Sequence, residues 1–304
     1  MAGNWVDRRA PSGLRPFLRL SRADRPIGTW LLLIPCWWGA ALSAAAHGWR
    51  AFDLWIVIGC AIGAALMRGA GCTWNDITDR DIDAAVARTR ARPIPAGHVG
   101  VTAAFGWLAL QAGLALMILL SFNAAAILTG LLALVPVAVY PFAKRVTWWP
   151  QVFLGLAFNW GALLAWTAQA GRLEAPAILL YAGGIAWTLV YDTIYAHQDR
   201  EDDALIGVKS TARLFGSATR PVLAGFAAAA TAALAAAAIW ALAPQGRPAA
   251  LALALLGVAG MAGHMIRQLH RLDIADGALC LQLFRSNRSA GLIAAAGFAL
   301  AGLA

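Results

Sequence analysis

Residues Phe52–Cys72 read FDLWIVIGCAIGAALMRGAGC, and shortly after them comes Asn75-Asp76-Ile77-Thr78-Asp79-Arg80-Asp81-Ile82-Asp83. The first stretch is long enough to cross a bilayer as a helix and carries only Asp53 and Arg68 as charges. In hydrocarbon a chain has no water for its N–H and C=O groups, so such a stretch must be helical. The second stretch sets a group of carboxylates at the end of that helix.

The same reading repeats along the chain. The 304 residues are 61% hydrophobic and 13% charged, with a mean hydropathy of +0.66, too apolar for a soluble domain. Nine apolar segments of roughly membrane-spanning length follow one another: Gly28–Ala46, Phe52–Cys72, Val101–Ser121, Ala124–Phe142, Val152–Ala170, Ala175–Tyr191, Val222–Leu242, Ala249–Ile266 and the short Ala290–Leu303. They predict an all-α polytopic membrane bundle of nine transmembrane helices, two four-helix units plus one. A single membrane domain covers the chain, with a basic N-terminal segment at 1–26 and the helical bundle at 27–304. Arg8, Arg9, Arg15, Arg19, Arg22 and Arg25 are spread through a segment with no apolar h-region, which argues for a basic interfacial lead-in rather than a signal peptide. An Arg-rich mitochondrial presequence is the lesser alternative. Cys36, Cys60, Cys72 and Cys280 are scattered without metal-site spacing and read as packing residues.

Nine crossings place the N-terminus and the loops after spans 2, 4, 6 and 8 on one side. Of the 24 Lys and Arg, all but Arg50, Arg68, Arg172 and Arg247 fall there. This is the positive-inside pattern, with the N-terminus cytoplasmic. The net charge of +9 is therefore a topology signal, and no nucleic-acid partner is expected. A bacterial inner membrane is the expected location, with the active site cytoplasmic and a mitochondrial inner membrane second.

Nine of the fifteen Asp and Glu lie in two clusters, the one above and Asp192-Thr193-Ile194-Tyr195-Ala196-His197-Gln198-Asp199-Arg200-Glu201-Asp202-Asp203. Both follow the second helix of a four-helix unit and both fall on the basic side. At about 100° per residue, Asn75, Asp76, Asp79 and Asp83 share a helical face, and Asp81 points away. Asp192, Asp199 and Asp203 are nearly in register, with Tyr195 close by and Glu201 off the face. Like charges on one face repel, and hard oxygen ligands in that arrangement suit Mg²⁺ and, through it, phosphate. The Lys and Arg near the clusters suit a diphosphate. Phosphate-cradling glycine patterns are absent, so nucleotide chemistry has no local support. A divalent-cation transporter would place its acids near the bilayer midplane on broken helices, whereas these lie at helix ends.

Asn75-Asp76-x-x-Asp79-x-x-x-Asp83 with Arg90-Ala91-Arg92-Pro93-Ile94-Pro95-Ala96-Gly97 resembles the first signature of the UbiA-type membrane prenyltransferases. The second cluster with Ile206-Gly207-Val208-Lys209-Ser210-Thr211-Ala212 resembles the second. Arg22-Ala23-Asp24-Arg25-Pro26-Ile27-Gly28, Tyr140-Pro141-Phe142-Ala143-Lys144-Arg145, Pro150–Gly155 and Phe284-Arg285-Ser286-Asn287-Arg288 are similar to the ubiquinone-pathway branch, whose acceptor is 4-hydroxybenzoate. The resemblance implies Mg²⁺-dependent transfer of a polyprenyl group from its diphosphate to the ring carbon ortho to the acceptor hydroxyl. It assigns metal binding to Asn75, Asp76, Asp79, Asp83, Asp199 and Asp203, and substrate binding to Arg22, Arg25, Arg80, Tyr195 and Arg200. Lys144 and Lys209 would neutralise the leaving group, Arg145 or Arg25 would pair with the benzoate carboxylate, and Asp192 would orient the phenolic proton. Naphthoate, haem and chlorophyllide are the alternative acceptors within the family.

Overall fold

The computed structural model describes residues 4–85, 89–199, 207 and 209–304, with Lys144 and Asp199 described by their backbone alone. Every regular element among the described residues is helical. Two short helices, α1 (Trp5–Arg9) and α2 (Arg15–Leu20), precede α3 (Ile27–His47), α4 (Ala51–Thr78) and the short α5 (Arg80–Ala85). Then come α6 (Val101–Leu119), α7 (Ala124–Leu132), α8 (Leu134–Val146), α9 (Pro150–Ala170) and α10 (Ala175–Ala196). The chain ends with the short α11 (Thr211–Phe215), α12 (Thr219–Leu242), α13 (Pro248–Arg271) and α14 (Gly277–Ala301).

Among the described residues eight helical segments are long and apolar enough to cross a membrane, and the chain is an integral membrane protein. The ninth apolar segment belongs to α14, which starts at Gly277 rather than at Ala290. Its first half carries Arg285 and Arg288, which make that half less apolar than the other long helices although the backbone is continuous helix. The fourth segment is broken. Pro136 has no N–H to give the carbonyl four residues back, at Leu132, and that is the residue where α7 stops.

By packing, the chain divides into two compact units with boundaries inside α3 and α4. One unit holds the chain up to Trp30 together with Ala61–Ser121. Its core sets Leu20, Ile77, Val99 and Ala104 against Phe17, Ile94, Val101 and Leu108. Phe17 and Trp107 lie 5.4 Å apart, and the Trp107 indole donates to Ser21 Oγ (2.8 Å), which in turn donates to Gln111 Oε1 (3.0 Å). The α2 segment is thereby tied to α6.

The other unit holds Leu31–Cys60 and Phe122–Ala304. Helices in lipid gain little from hydrophobicity against one another, so they associate through small residues and hydrogen bonds. A Cβ on Gly257 of α13 would stand 2.7 Å from the Gly297 Cα of α14, a backbone approach that only glycine permits. Indole N–H groups supply the bonds: Trp38 donates to the Gly291 carbonyl and Trp187 to Asn287 Oδ1, both at 2.9 Å.

Candidate active site

The first acidic cluster is built on the end of α4. Helical hydrogen bonding runs through the break at Asp79, since Asp79 N–H reaches the Asn75 carbonyl (2.9 Å) and Asp83 N–H the Asp79 carbonyl (2.8 Å). The four positions therefore keep the face that their spacing predicts. Asp76, Asp79 and Asp83 are buried and Asn75 half-buried, while the Asp81 side chain is 88% exposed. Arg80 is exposed with Asp81, its Nε 3.5 Å from that carboxylate.

Two arginines close over the buried acids. Arg22 donates to Asp76 Oδ1 at 2.6 Å, and Arg92 reaches the same oxygen at 3.3 Å and Asp83 Oδ2 at 2.6 Å. Each is held by its own segment. Arg22 has φ +55°, a left-handed conformation that costs a non-glycine residue roughly 1–2 kcal/mol, and its guanidinium also donates to the Arg19 carbonyl (3.1 Å). Burial alone would lower its pKa, but Asp76, Cys72 and Asp24 together outweigh burial and raise it. Arg92 sits in a chain of turns: Arg92 N–H donates to the Thr89 carbonyl (2.8 Å), His98 and Val99 N–H both return to the Pro93 carbonyl, and Thr89 Oγ1 donates to the Asp83 carbonyl (2.9 Å). Gly97 supplies the positive φ (+73°) those turns require, and Ile94 and Val99 anchor the loop in the core. Arg25 faces solvent and pairs with Asp24 at 3.2 Å.

The donor chemistry fits a hard divalent cation. Asp76 Oδ2 is buried with no hydrogen-bond partner, an oxygen left over after both arginines have taken its neighbour. Among the described residues no three Asp, Glu, His or Cys side chains already stand as a cation cage. Guanidinium holds two of the acids instead.

Asp192 lies half-buried in the last turn of α10, and Tyr195 stacks 4.5 Å from Phe284 of α14. Arg200 and Asp203 lie outside the described residues, as do the side chains of Lys144 and Asp199. The chain beyond the cluster is pinned back onto the helices: Ser210 caps α11 by accepting from Arg213 N–H, Thr211 N–H donates to Gln151 Oε1 (3.2 Å), and Thr193 and Thr211 share a 2.6 Å hydroxyl contact. Lys209 donates to the Val146 carbonyl at 3.2 Å, and Arg145 is exposed with its guanidinium 5.5 Å over the Phe142 ring.

Two residues go beyond the sequence expectation. Arg92 belongs to the first signature without an assigned role there, and it bridges two of the acids. Arg68 lies inside a span, and its guanidinium rests on Gly28, where a Cβ would meet it at 2.6 Å. An ionisable residue at membrane depth is a signal readable from the sequence alone. Arg68 is seven residues before Asn75, so the two share a helix face.

The model of the UbiA prenyltransferase family matches residues 32–288. The mitochondrial 4-hydroxybenzoate polyprenyltransferase of Bos taurus is 47% identical over 298 residues, covering 97% of this chain and 77% of that protein. Its counterpart from Homo sapiens is 46% identical over 296 residues, with 97% and 77% covered. Among solved structures, the apo structure of a UbiA homolog from Aeropyrum pernix K1 superposes with a TM-score of 0.72 at 25% identity, covering 90% of this chain and 97% of that one. A UbiA homolog from Archaeoglobus fulgidus bound to GPP and Mg²⁺ shares the fold, with a TM-score of 0.68 at 18% identity over 94% of this chain and 99% of that one. A family match across most of the chain, joined to the buried Asn75–Asp83 signature, means that this chain belongs to the UbiA prenyltransferase family.

Proposed function

We propose that the protein transfers a polyprenyl group from polyprenyl diphosphate to the ring carbon of 4-hydroxybenzoate ortho to the hydroxyl, with Mg²⁺, as a step of ubiquinone biosynthesis. The observation that carries this reading is the burial of Asp76, Asp79 and Asp83 on one face of a membrane helix, with guanidinium groups from two other segments at hand. Near-half identity to 4-hydroxybenzoate polyprenyltransferases supports the acceptor.

A bound Mg²⁺ supplies charge neutralisation and polarisation of the leaving diphosphate. Asn75, Asp79 and Asp83 would hold it at the first cluster, and Asp199 and Asp203 at the second. Lys144, Lys209 and Arg200 neutralise charge as the allylic C–O bond breaks and its electron pair leaves with the diphosphate. The acceptor ring carbon then forms the new C–C bond to the allylic carbon and loses its proton. Asp192 orients the phenolic O–H that makes the ring electron-rich, and the apolar bundle keeps water from the cation. Arg145, whose planar fork can take a carboxylate with two parallel hydrogen bonds, positions the acceptor, with Arg25 as the second candidate.

The curated relatives are mitochondrial proteins, so the bacterial inner membrane expected from the sequence is without support from them. The orientation with basic loops and acidic clusters on one side rests on the charge asymmetry of the loops.

Membranes containing the protein, offered radiolabelled polyprenyl diphosphate with 4-hydroxybenzoate, a hydroxynaphthoate, haem or chlorophyllide in turn, test the acceptor. Label is expected in prenylated 4-hydroxybenzoate alone. Label in another acceptor instead would overturn the assignment. Arg145→Lys is expected to raise KM for 4-hydroxybenzoate more than KM for the diphosphate; the reverse split would give Arg145 to the donor and the carboxylate to Arg25.

A further inference from the structure

Asp76 and Asp83 are both buried, yet among the described residues no third acid joins them as a cage, and the Arg92 guanidinium spans the gap. Arg92 Nη1 lies 2.6 Å from Asp83 Oδ2 and 3.3 Å from Asp76 Oδ1, so one donor touches two carboxylates of the acidic face. We propose that Arg92 is an exchangeable counter-ion of this site. It neutralises the acidic face while no metal is bound, a divalent cation displaces it from Asp83, and the released guanidinium then meets the diphosphate. This rests on the reading that the first cluster holds the metal.

Three observations favour exchange over a permanent structural pair. Arg92 stands on a loop of turns rather than on a helix, and its side chain keeps 27% of its surface exposed, so it has room to leave. Asp76 does not depend on it, because Arg22 holds the same Oδ1 at the shorter distance of 2.6 Å. Asp83 is the residue exposed by the exchange, and it is one of the oxygen donors that a cation would take. Like charges on one buried face repel, so a guanidinium or a metal beside Asp83 is favoured over neither. The competition makes a definite signature. Removing Arg92 should help the metal bind alone and hinder the diphosphate from binding with it.

The test uses the full-length chain in detergent, with Mn²⁺ followed by electron paramagnetic resonance and inorganic diphosphate by calorimetry. Arg92→Gln is expected to lower the Kd for Mn²⁺ alone roughly ten-fold, a normal size for two ligands competing through one site. The same variant is expected to weaken diphosphate, at saturating Mn²⁺, by roughly ten-fold through loss of a charge-assisted contact. Its melting temperature should fall without metal and recover on adding Mn²⁺ by more than that of the unsubstituted protein. A merely structural Arg92 would lower stability and both affinities together, and that pattern would overturn the proposal, as would an unchanged Kd for Mn²⁺. If Arg92→Gln does not fold, Arg92→Lys is the second variant. Its ammonium cannot bridge two carboxylates as the fork does, so a smaller tightening of Mn²⁺ is expected, and none would overturn the exchange. Asp79→Ala separates the two readings. If Mn²⁺ still binds that variant as before, the metal is not at this cluster and both readings fall. If Mn²⁺ binding is lost in Asp79→Ala but indifferent to Arg92, only the exchange falls.

Discussion

Helix α4 carries a buried aspartate in its first turn and another in its last, and the two are satisfied in opposite ways. Asp53 accepts from the backbone N–H of Arg50, three residues away, at 2.8 Å, and from Gln169 Nε2 at 3.4 Å. The helix N-terminus carries about half a positive charge, so a carboxylate there is favoured before any side chain arrives. Asp76 has no such help, because the end of a helix repels an anion. Its neutralisation is brought in from Arg22, 54 residues earlier, and Arg92, 16 residues later. A buried acid satisfied locally is a cap. Each of the two leaves one carboxylate oxygen without a hydrogen bond, but the one that must import two cations against the helix dipole is arranged for a ligand.

The sharpest way to break this comparison is in turnover. Asp79→Ala, on the last-turn face, is expected to lower kcat by about two orders of magnitude or more through loss of a metal-binding oxygen, while the protein still inserts. Asp53→Asn and Asp81→Ala should keep near-normal rates in the same radiolabel assay. Equal losses at Asp79 and Asp81 would mean that local charge matters and the buried face does not.

Stability separates the two ends next. Asp76→Ala leaves two half-buried guanidinium groups without their shared acceptor and should cost about 3–5 kcal/mol. Asp53→Asn keeps an oxygen for the Arg50 N–H and should cost about 1 kcal/mol. Thermal melts in detergent compare them directly, and a larger loss at Asp53 would reverse the assignment of cap and site. Between the two ends, Gly28→Ala would drive a methyl into the Arg68 guanidinium at 2.6 Å. The guanidinium is the movable end of a long side chain, so the expected loss is no more than about 1 kcal/mol, with a loss several times larger as the contrary result.

The smallest effect falls on Glu174, just before α10. Burial there would raise its pKa, but hydrogen bonds from Arg172 and Trp166 and the neighbouring His47 outweigh burial and hold it below the ordinary carboxylate value. A depressed folded pKa gives stability that is present above the unfolded value of about 4.3 and is lost as pH falls through the folded one. Glu174→Gln should therefore lower the melting temperature slightly at pH 7 and by progressively less as the pH falls and the carboxylate is protonated in both states. A loss that does not shrink with falling pH would show that the carboxylate charge is not what contributes.

The spans and the acidic face were legible in the sequence because each rests on a rule local to the chain. Apolar length forces a helix, and the 100° step puts Asp76, Asp79 and Asp83 inside while leaving Asp81 exposed. The interruption at Pro136 and the full extent of α14 were not read, since hydropathy averages over a proline and is lowered by Arg285 and Arg288. The pairing of Arg22 and Arg92 with the buried acids could not be read, although both lie in stretches that carry the family resemblance. No periodicity encodes a contact across 54 residues; the loop turns around Thr89–Val99 and the left-handed backbone at Arg22 make it.

The account stands most directly on one measurement: prenyl transfer to 4-hydroxybenzoate by membranes containing the protein, before and after excess EDTA, and again after adding Mg²⁺. It predicts that transfer stops with chelation and returns with the metal. Undiminished transfer in EDTA would contradict it, leaving the buried face of Asp76, Asp79 and Asp83 without the ligand that its burial and unbonded oxygen imply.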